Sequence, residues 1–108
     1  MLPVEIAQDL QRFLRVLHSR YGEALVSVVL FGSWARGEAR AESDIDLLVT
    51  FAADAEWSLL DHVQIEHELS QLLGRKVDLV SRRSIEASRN AVRRNAILRS
   101  AVPVYVAG

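Results

Sequence analysis

Apolar residues recur at Ile6, Leu10, Phe13, Leu14 and Leu17, a spacing that predicts an amphipathic helix with Pro3 in its first turn. Gly22, just after Tyr21, is suited to end it. The pattern then changes. Leu25 to Phe31 is almost entirely apolar and rich in β-branched residues, so it reads as a buried strand. Gly32 and Ser33 break that strand, Trp34 to Arg40 has helical composition, and Ser43 to Phe51 reads as a second strand with carboxylates at its beginning. A long helix follows from Leu59 to Leu73, with Ile65, Leu69, Leu72 and Leu73 expected to face inward and Gly74 to stop it. Lys76 to Val80 forms a short third strand. Ser84 or Ser88 is expected to cap helical turns that run to about Arg99, and Val102 to Val106 to form a last strand that Pro103 confines to an edge. The order α-β-α-β-α-β-α-β describes an α/β (α+β) fold, a small mixed sheet covered by helices. No repeat, linker or low-complexity tract interrupts it, so residues 1–108 read as a single domain.

Loop length adds a topological expectation. About 12 residues separate the first two strands, and a seven-residue helix among them reaches only ~10 Å. A parallel crossover must return along a strand of ~20 Å, usually on a longer helix. The first two strands are therefore expected to be antiparallel. That pairing brings Gly32 and Ser33, at the end of one strand, beside Asp44 and Asp46 at the start of the next.

Composition narrows the class. Of the 108 residues 50% are hydrophobic and 25% charged, as in a globular domain, and no run approaches the ~18 apolar residues that span a membrane. The first residues lack the basic-then-apolar order of a secretory leader, and cytoplasmic location is the expectation. With no cysteine, disulfides, thiolate metal sites and cysteine nucleophiles are excluded. The net charge of −1 hides an asymmetry: residues 41–80 hold 9 acidic and 2 basic side chains, residues 81–108 hold 6 basic and 1 acidic. Two such fields in one small domain point to different uses.

The acidic segment holds the candidate chemistry. Side chains alternate along a strand, so Asp44 and Asp46 are expected on one face, ~7 Å apart, with Ile45 and Leu47 turned to the core. Like charges so placed raise each other's pKa unless a cation lies between them. An all-oxygen donor set favours Mg²⁺, with Mn²⁺ also suited. Asp78 is the natural third carboxylate if its strand neighbours the second. Gly32 and Ser33 supply the matching anion half: a backbone that a phosphate can approach, a hydroxyl, and the unpaired amides of a helix start. Neither a P-loop nor a dinucleotide fingerprint is present.

Gly32-Ser33, then ten residues, then Asp44-x-Asp46 is the signature of the DNA polymerase β-like nucleotidyltransferase superfamily. The fuller string Phe31-Gly32-Ser33-Trp34-Ala35-Arg36-Gly37-Glu38, followed by Ser43-Asp44-Ile45-Asp46-Leu47-Leu48-Val49, resembles its minimal prokaryotic branch, the MNT proteins. These commonly act as antitoxins paired with a HEPN-domain toxin. The resemblance implies a polymerase β-like fold and a Mg²⁺-dependent transfer of AMP from ATP, with pyrophosphate leaving. It implies that Gly32 and Ser33 hold the triphosphate, that Asp44 and Asp46 bridge two Mg²⁺ ions, and that Asp78 holds the metal nearest the acceptor. A tyrosine hydroxyl of a HEPN-type toxin is the implied acceptor, and a hetero-oligomer with that toxin the implied assembly. Two other readings stay open: transfer to a small molecule, and a non-catalytic antitoxin that occludes its partner. A template-directed polymerase is not expected, since 108 residues leave no room for fingers or thumb.

The remaining polar residues carry blander expectations. Arg36 is suited to neutralise phosphate or to pair with a nearby carboxylate, and Trp34 to pack on the sheet rather than stack on a base. Arg40 is expected at the surface. His18, His62 and His67 read as surface or boundary histidines, since no His-Glu-x-x-His spacing is present. The arginines Arg82, Arg83, Arg89, Arg93, Arg94 and Arg99 read as a solvated face or protein interface rather than a nucleic-acid groove, with Arg93 and Arg94 also open to a triphosphate contact.

Overall fold

The periodic segment at the N-terminus forms α1 (Val4–Tyr21), capped at its end by Gly22 in a positive-φ conformation. The computed structural model describes residues 2–107. β1 (Leu25–Phe31) leads into a five-residue helix α2 (Gly32–Arg36), and β2 (Ile45–Phe51) precedes α3 (Leu59–Leu73). β3 (Val77–Ser81), α4 (Arg82–Ala87), α5 (Ala91–Ser100) and β4 (Val102–Val106) complete the chain. The four strands form one mixed sheet in the order β3-β2-β1-β4. β1 runs antiparallel to both β2 and β4, and β2 runs parallel to β3. The antiparallel first pair and the edge position of the strand with Pro103 agree with the expectations from loop length and proline chemistry.

Strand alternation divides the sheet into two unlike faces. Ile45, Leu47, Val49, Val77 and Leu79 point to one side, where Leu10, Leu14 and Leu17 of α1 and Ile65, Leu69 and Leu73 of α3 close the main core. The opposite face carries a smaller cluster in which Phe31 and Leu48 pack against Ile85 of α4 and Ile97 of α5. Asp46 and Asp78 share strand parity with Leu48 and Val80, so they lie on this second, incompletely covered face.

Several boundaries differ from the sequence expectations. α2 stops at Arg36 rather than Arg40 because Gly37 adopts φ 75°, and the amides of Gly37 and Glu38 both return to the Ser33 carbonyl. β2 begins at Ile45, which leaves Asp44 in the preceding loop. The helical turns after β3 are two helices, capped by Ser81, which accepts from the Ser84 amide, and by Asn90, which accepts from the Arg93 amide. Neither Ser84 nor Ser88 is an N-cap. Leu72 is 45% exposed, because Leu69 and Leu73 already define the inward stripe of α3 and Leu72 falls outside it.

Candidate active site

The site starts from a close approach of two strands. Phe31, the last residue of β1, pairs across the ladder with Asp46 of β2. The chain therefore turns at Gly32 directly against the Asp46 carboxylate. A β-carbon built on Gly32 would lie 2.2 Å from Asp46 Oδ2, and Gly32 holds φ +72°. Both facts require glycine there: no side chain fits, and the left-handed conformation strains any L-residue. Ser33 follows in the first turn of α2, half-buried.

On the other side of β2, register sets the second carboxylate. Asp46 pairs with Asp78 of β3, so the two acids are neighbours on one face of adjacent parallel strands. Burial pushes the Asp46 carboxyl up from its ordinary value; the negative charges of Asp78 and then Asp44 push it further, while Arg36 and Arg93 oppose them. The five groups thus share one electrostatic field around Asp46. Arg93, on α5, adds one positive charge of the basic C-terminal segment to that field.

Asp44 is placed differently from the expectation of two acids along one strand face. It sits in the loop before β2 with its side chain 51% exposed, and its Oδ2 lies 4.0 Å from Lys76 Nζ. Among the described residues no three His, Cys, Asp or Glu side chains are gathered as a ready metal cage. Asp46 and Asp78 abut; Asp44 leans toward Lys76 at their edge. The chemistry of the set still fits a divalent cation: all donors are carboxylate oxygens, and their mutual repulsion at Asp46 is the charge imbalance a cation removes.

The loop that delivers Asp44 is anchored by Trp34. This residue is only 7% exposed, belongs to the main core, and donates from its indole Nε1 to the Ser43 carbonyl at 3.1 Å. The Arg75 guanidinium lies over the Trp34 ring, 5.5 Å from its centroid, and donates to the Ala41 carbonyl. Ser43 Oγ accepts from the Arg40 amide at 2.8 Å. Trp34 is therefore a packing and anchoring residue, as expected. Arg36 pairs through Nε with Glu38 at 3.1 Å while contributing to the field at Asp46. Arg40 is exposed.

The histidines make other contacts. His18 Nδ1 meets the Tyr105 hydroxyl at 2.7 Å, His67 is exposed, and His62 Nε2 lies 2.7 Å from the Leu79 carbonyl. Lys76, two residues before Asp78 and beside Asp44, is a site neighbour that the sequence reading gives no role.

A Gly-Ser turn against adjacent strand carboxylates, on a small mixed sheet backed by helices, defines the polymerase β-like nucleotidyltransferase fold. Residues 10–102 match the nucleotidyltransferase domain family, and the chain belongs to that family as a nucleotidyltransferase. It is 40% identical over 83 residues, 77% of this chain and 80% of the other, to the protein adenylyltransferase MntA of Thermococcus cleftensis. A solved structure described as a minimal nucleotidyltransferase is 37% identical and superimposes with a TM-score of 0.67, covering 94% of this chain and 96% of the other. The fold also matches, at 20% identity and a TM-score of 0.66, a complex of an MNT antitoxin with the tri-AMPylated HEPN toxin of Shewanella oneidensis, covering 94% of this chain and 73% of that one.

Proposed function

We propose that this chain is an antitoxin that transfers AMP from ATP to a hydroxyl group, a tyrosine, of a HEPN-type toxin, with Mg²⁺ as cofactor. The observation that carries the reading is the convergence of the Gly32 turn, the Asp46–Asp78 pair and Arg93 on one open face of the sheet. The name of the Thermococcus relative supports the reaction, and the partner in the Shewanella complex supports the class of acceptor.

In this reading Asp44, Asp46 and Asp78 are the residues that hold Mg²⁺, with Asp44 released from Lys76. Bound there, the metal supplies charge neutralisation for the triphosphate and for the attacking and leaving oxygens of an in-line displacement. The Gly32 backbone and the Ser33 hydroxyl hold the β- and γ-phosphates at the start of α2. Arg36 and Arg93 add positive charge beside the phosphates. One bond forms, from the acceptor oxygen to the α-phosphorus, and one breaks, to the pyrophosphate oxygen. Asp78 favours loss of the acceptor's proton. The acceptor is presented by the partner protein, as the toxin partner in the Shewanella complex supports.

The test is transfer of label from ATP. With Mg²⁺ and the product of the neighbouring reading frame, wild-type protein should label that product, and the double variant Asp44→Ala with Asp46→Ala should not. Neutralisation of the toxin by the double variant as well as by wild type would refute the catalytic reading in favour of occlusion. Label on an aminoglycoside instead would move the acceptor to small molecules.

A further inference from the structure

The polar side of α3 meets β3 in a specific way. In parallel pairing, alternate residues of a strand direct their backbone groups to the neighbour, so Val77 and Leu79 turn theirs to the outer edge while Asp78 pairs inward with β2. Such an edge ordinarily faces solvent or another strand. Here three side chains, each one helical turn from the next, cover it. Ser70 Oγ accepts from the Val77 amide at 3.1 Å, and Glu66 Oε2 accepts from the Leu79 amide at 2.8 Å. His62 Nε2 donates to the Leu79 carbonyl at 2.7 Å. The row is itself braced: Ser70 Oγ donates to the Glu66 carbonyl at 2.9 Å, and the His62 ring packs edge-on against Trp57.

Asp78 lies between the two gripped amides. We propose that Glu66, with His62 and Ser70, is a positioning residue for Asp78, gripping β3 on either side of it so that its carboxylate stays beside Asp46. The proposal rests on the reading of Asp78 as part of the transfer site. Its physical need is clear from the strand itself. β3 has five residues, stands at the sheet edge and is held by parallel pairing on one side only. Mutual repulsion of the Asp46 and Asp78 charges favours its displacement outward. A charge-assisted bond from Glu66 to the Leu79 amide acts against that displacement from the far side.

The test uses the full chain with Glu66→Ala, Glu66→Gln, Ser70→Ala and Asp78→Asn, read by amide hydrogen exchange and by AMP transfer to the partner. Glu66→Ala should speed exchange at the Leu79 amide by about tenfold or more. It should lower kcat by roughly 10- to 100-fold, as expected for a displaced reacting group, and leave KM for ATP within about twofold. Glu66→Gln keeps a carbonyl acceptor and should recover most of both. If Glu66→Ala does not fold, Ser70→Ala should give the same direction, milder, at the Val77 amide. Faster exchange at Leu79 with unchanged kcat would overturn the proposal, reducing the row to an edge cover. Wild-type transfer by Asp78→Asn would instead overturn the assignment of Asp78 itself, an outcome distinguishable from failure of the grip.

Discussion

Gly32 and Asp46 are in contact so close that the carboxylate occupies the space a β-carbon would need, 2.2 Å from Oδ2 and 3.0 Å from Cγ. Gly32→Ala must therefore displace Asp46 or the turn. We expect transfer to fall by at least about 100-fold and stability by about 1–3 kcal/mol, from strain and overpacking together. Steady-state kinetics and chemical denaturation of the variant check both.

Asp46 has a cost to the fold that its chemistry explains. Burial, then Asp78 and Asp44, raise its carboxyl above the ordinary 3.8. For an acid raised in the folded state, the favourable contribution is complete below the unfolded value and is lost as pH rises through the folded one. Asp46→Asn should therefore raise Tm at neutral pH, and that gain should close as pH falls toward the ordinary Asp range. Transfer by the same variant should drop by at least about 100-fold. Thermal melts across a pH series, beside activity at neutral pH, separate the two effects.

The carboxylate set also predicts a ligand dependence. MgCl₂ with ATP should raise the wild-type Tm, by the equivalent of about 2.7 kcal/mol at a hundredfold excess over Kd. Chelation should reverse the rise, and Asp44→Asn with Asp46→Asn should abolish it. Differential scanning fluorimetry with and without EDTA is sufficient.

Arg93 is exposed and contributes to the field at Asp46 from α5. Arg93→Ala should raise KM for ATP by about 3- to 10-fold through lost charge beside the phosphates. Its stability should change by no more than about 0.5 kcal/mol, as for an exposed residue outside the core. Arg36→Ala should have a comparable effect, since Arg36 opposes the Asp46 charge at least as much as Arg93 does, though Glu38 engages it at 3.1 Å.

What could be read in the chain and what could not follow from sequence separation. Gly32, Ser33, Asp44 and Asp46 stand within one short segment, and a loop too short for a parallel return makes their strands antiparallel. Asp78 is 32 residues beyond Asp46; its strand is recognisable, but its register opposite Asp46 is a tertiary fact, set by how α3 lays β3 against β2. Asp44 falls just outside the strand, next to Ser43, whose carbonyl Trp34 holds, in the loop after the helix that Gly37 ends early. Composition reads the Trp34–Arg40 segment as helix, although Gly37 carries the same stop signal as Gly22 and Gly74 and its φ of 75° confirms it. The grip on β3 was hidden for another reason. His62, Glu66 and Ser70 have ordinary helix-surface identities, and only their spacing of four, opposite an edge strand, marks them out.

The pairing of Asp46 with Asp78 as partners on one parallel ladder has a last consequence. A slip of β3 by a single residue would set Val77 or Leu79 across from Asp46 and turn Asp78 into the oily interior between sheet and helices. A chain misaligned in this way could keep much of its secondary structure and still be inert. Turnover therefore reports on strand alignment as well as on chemistry, and a preparation's specific activity counts the molecules that folded in register.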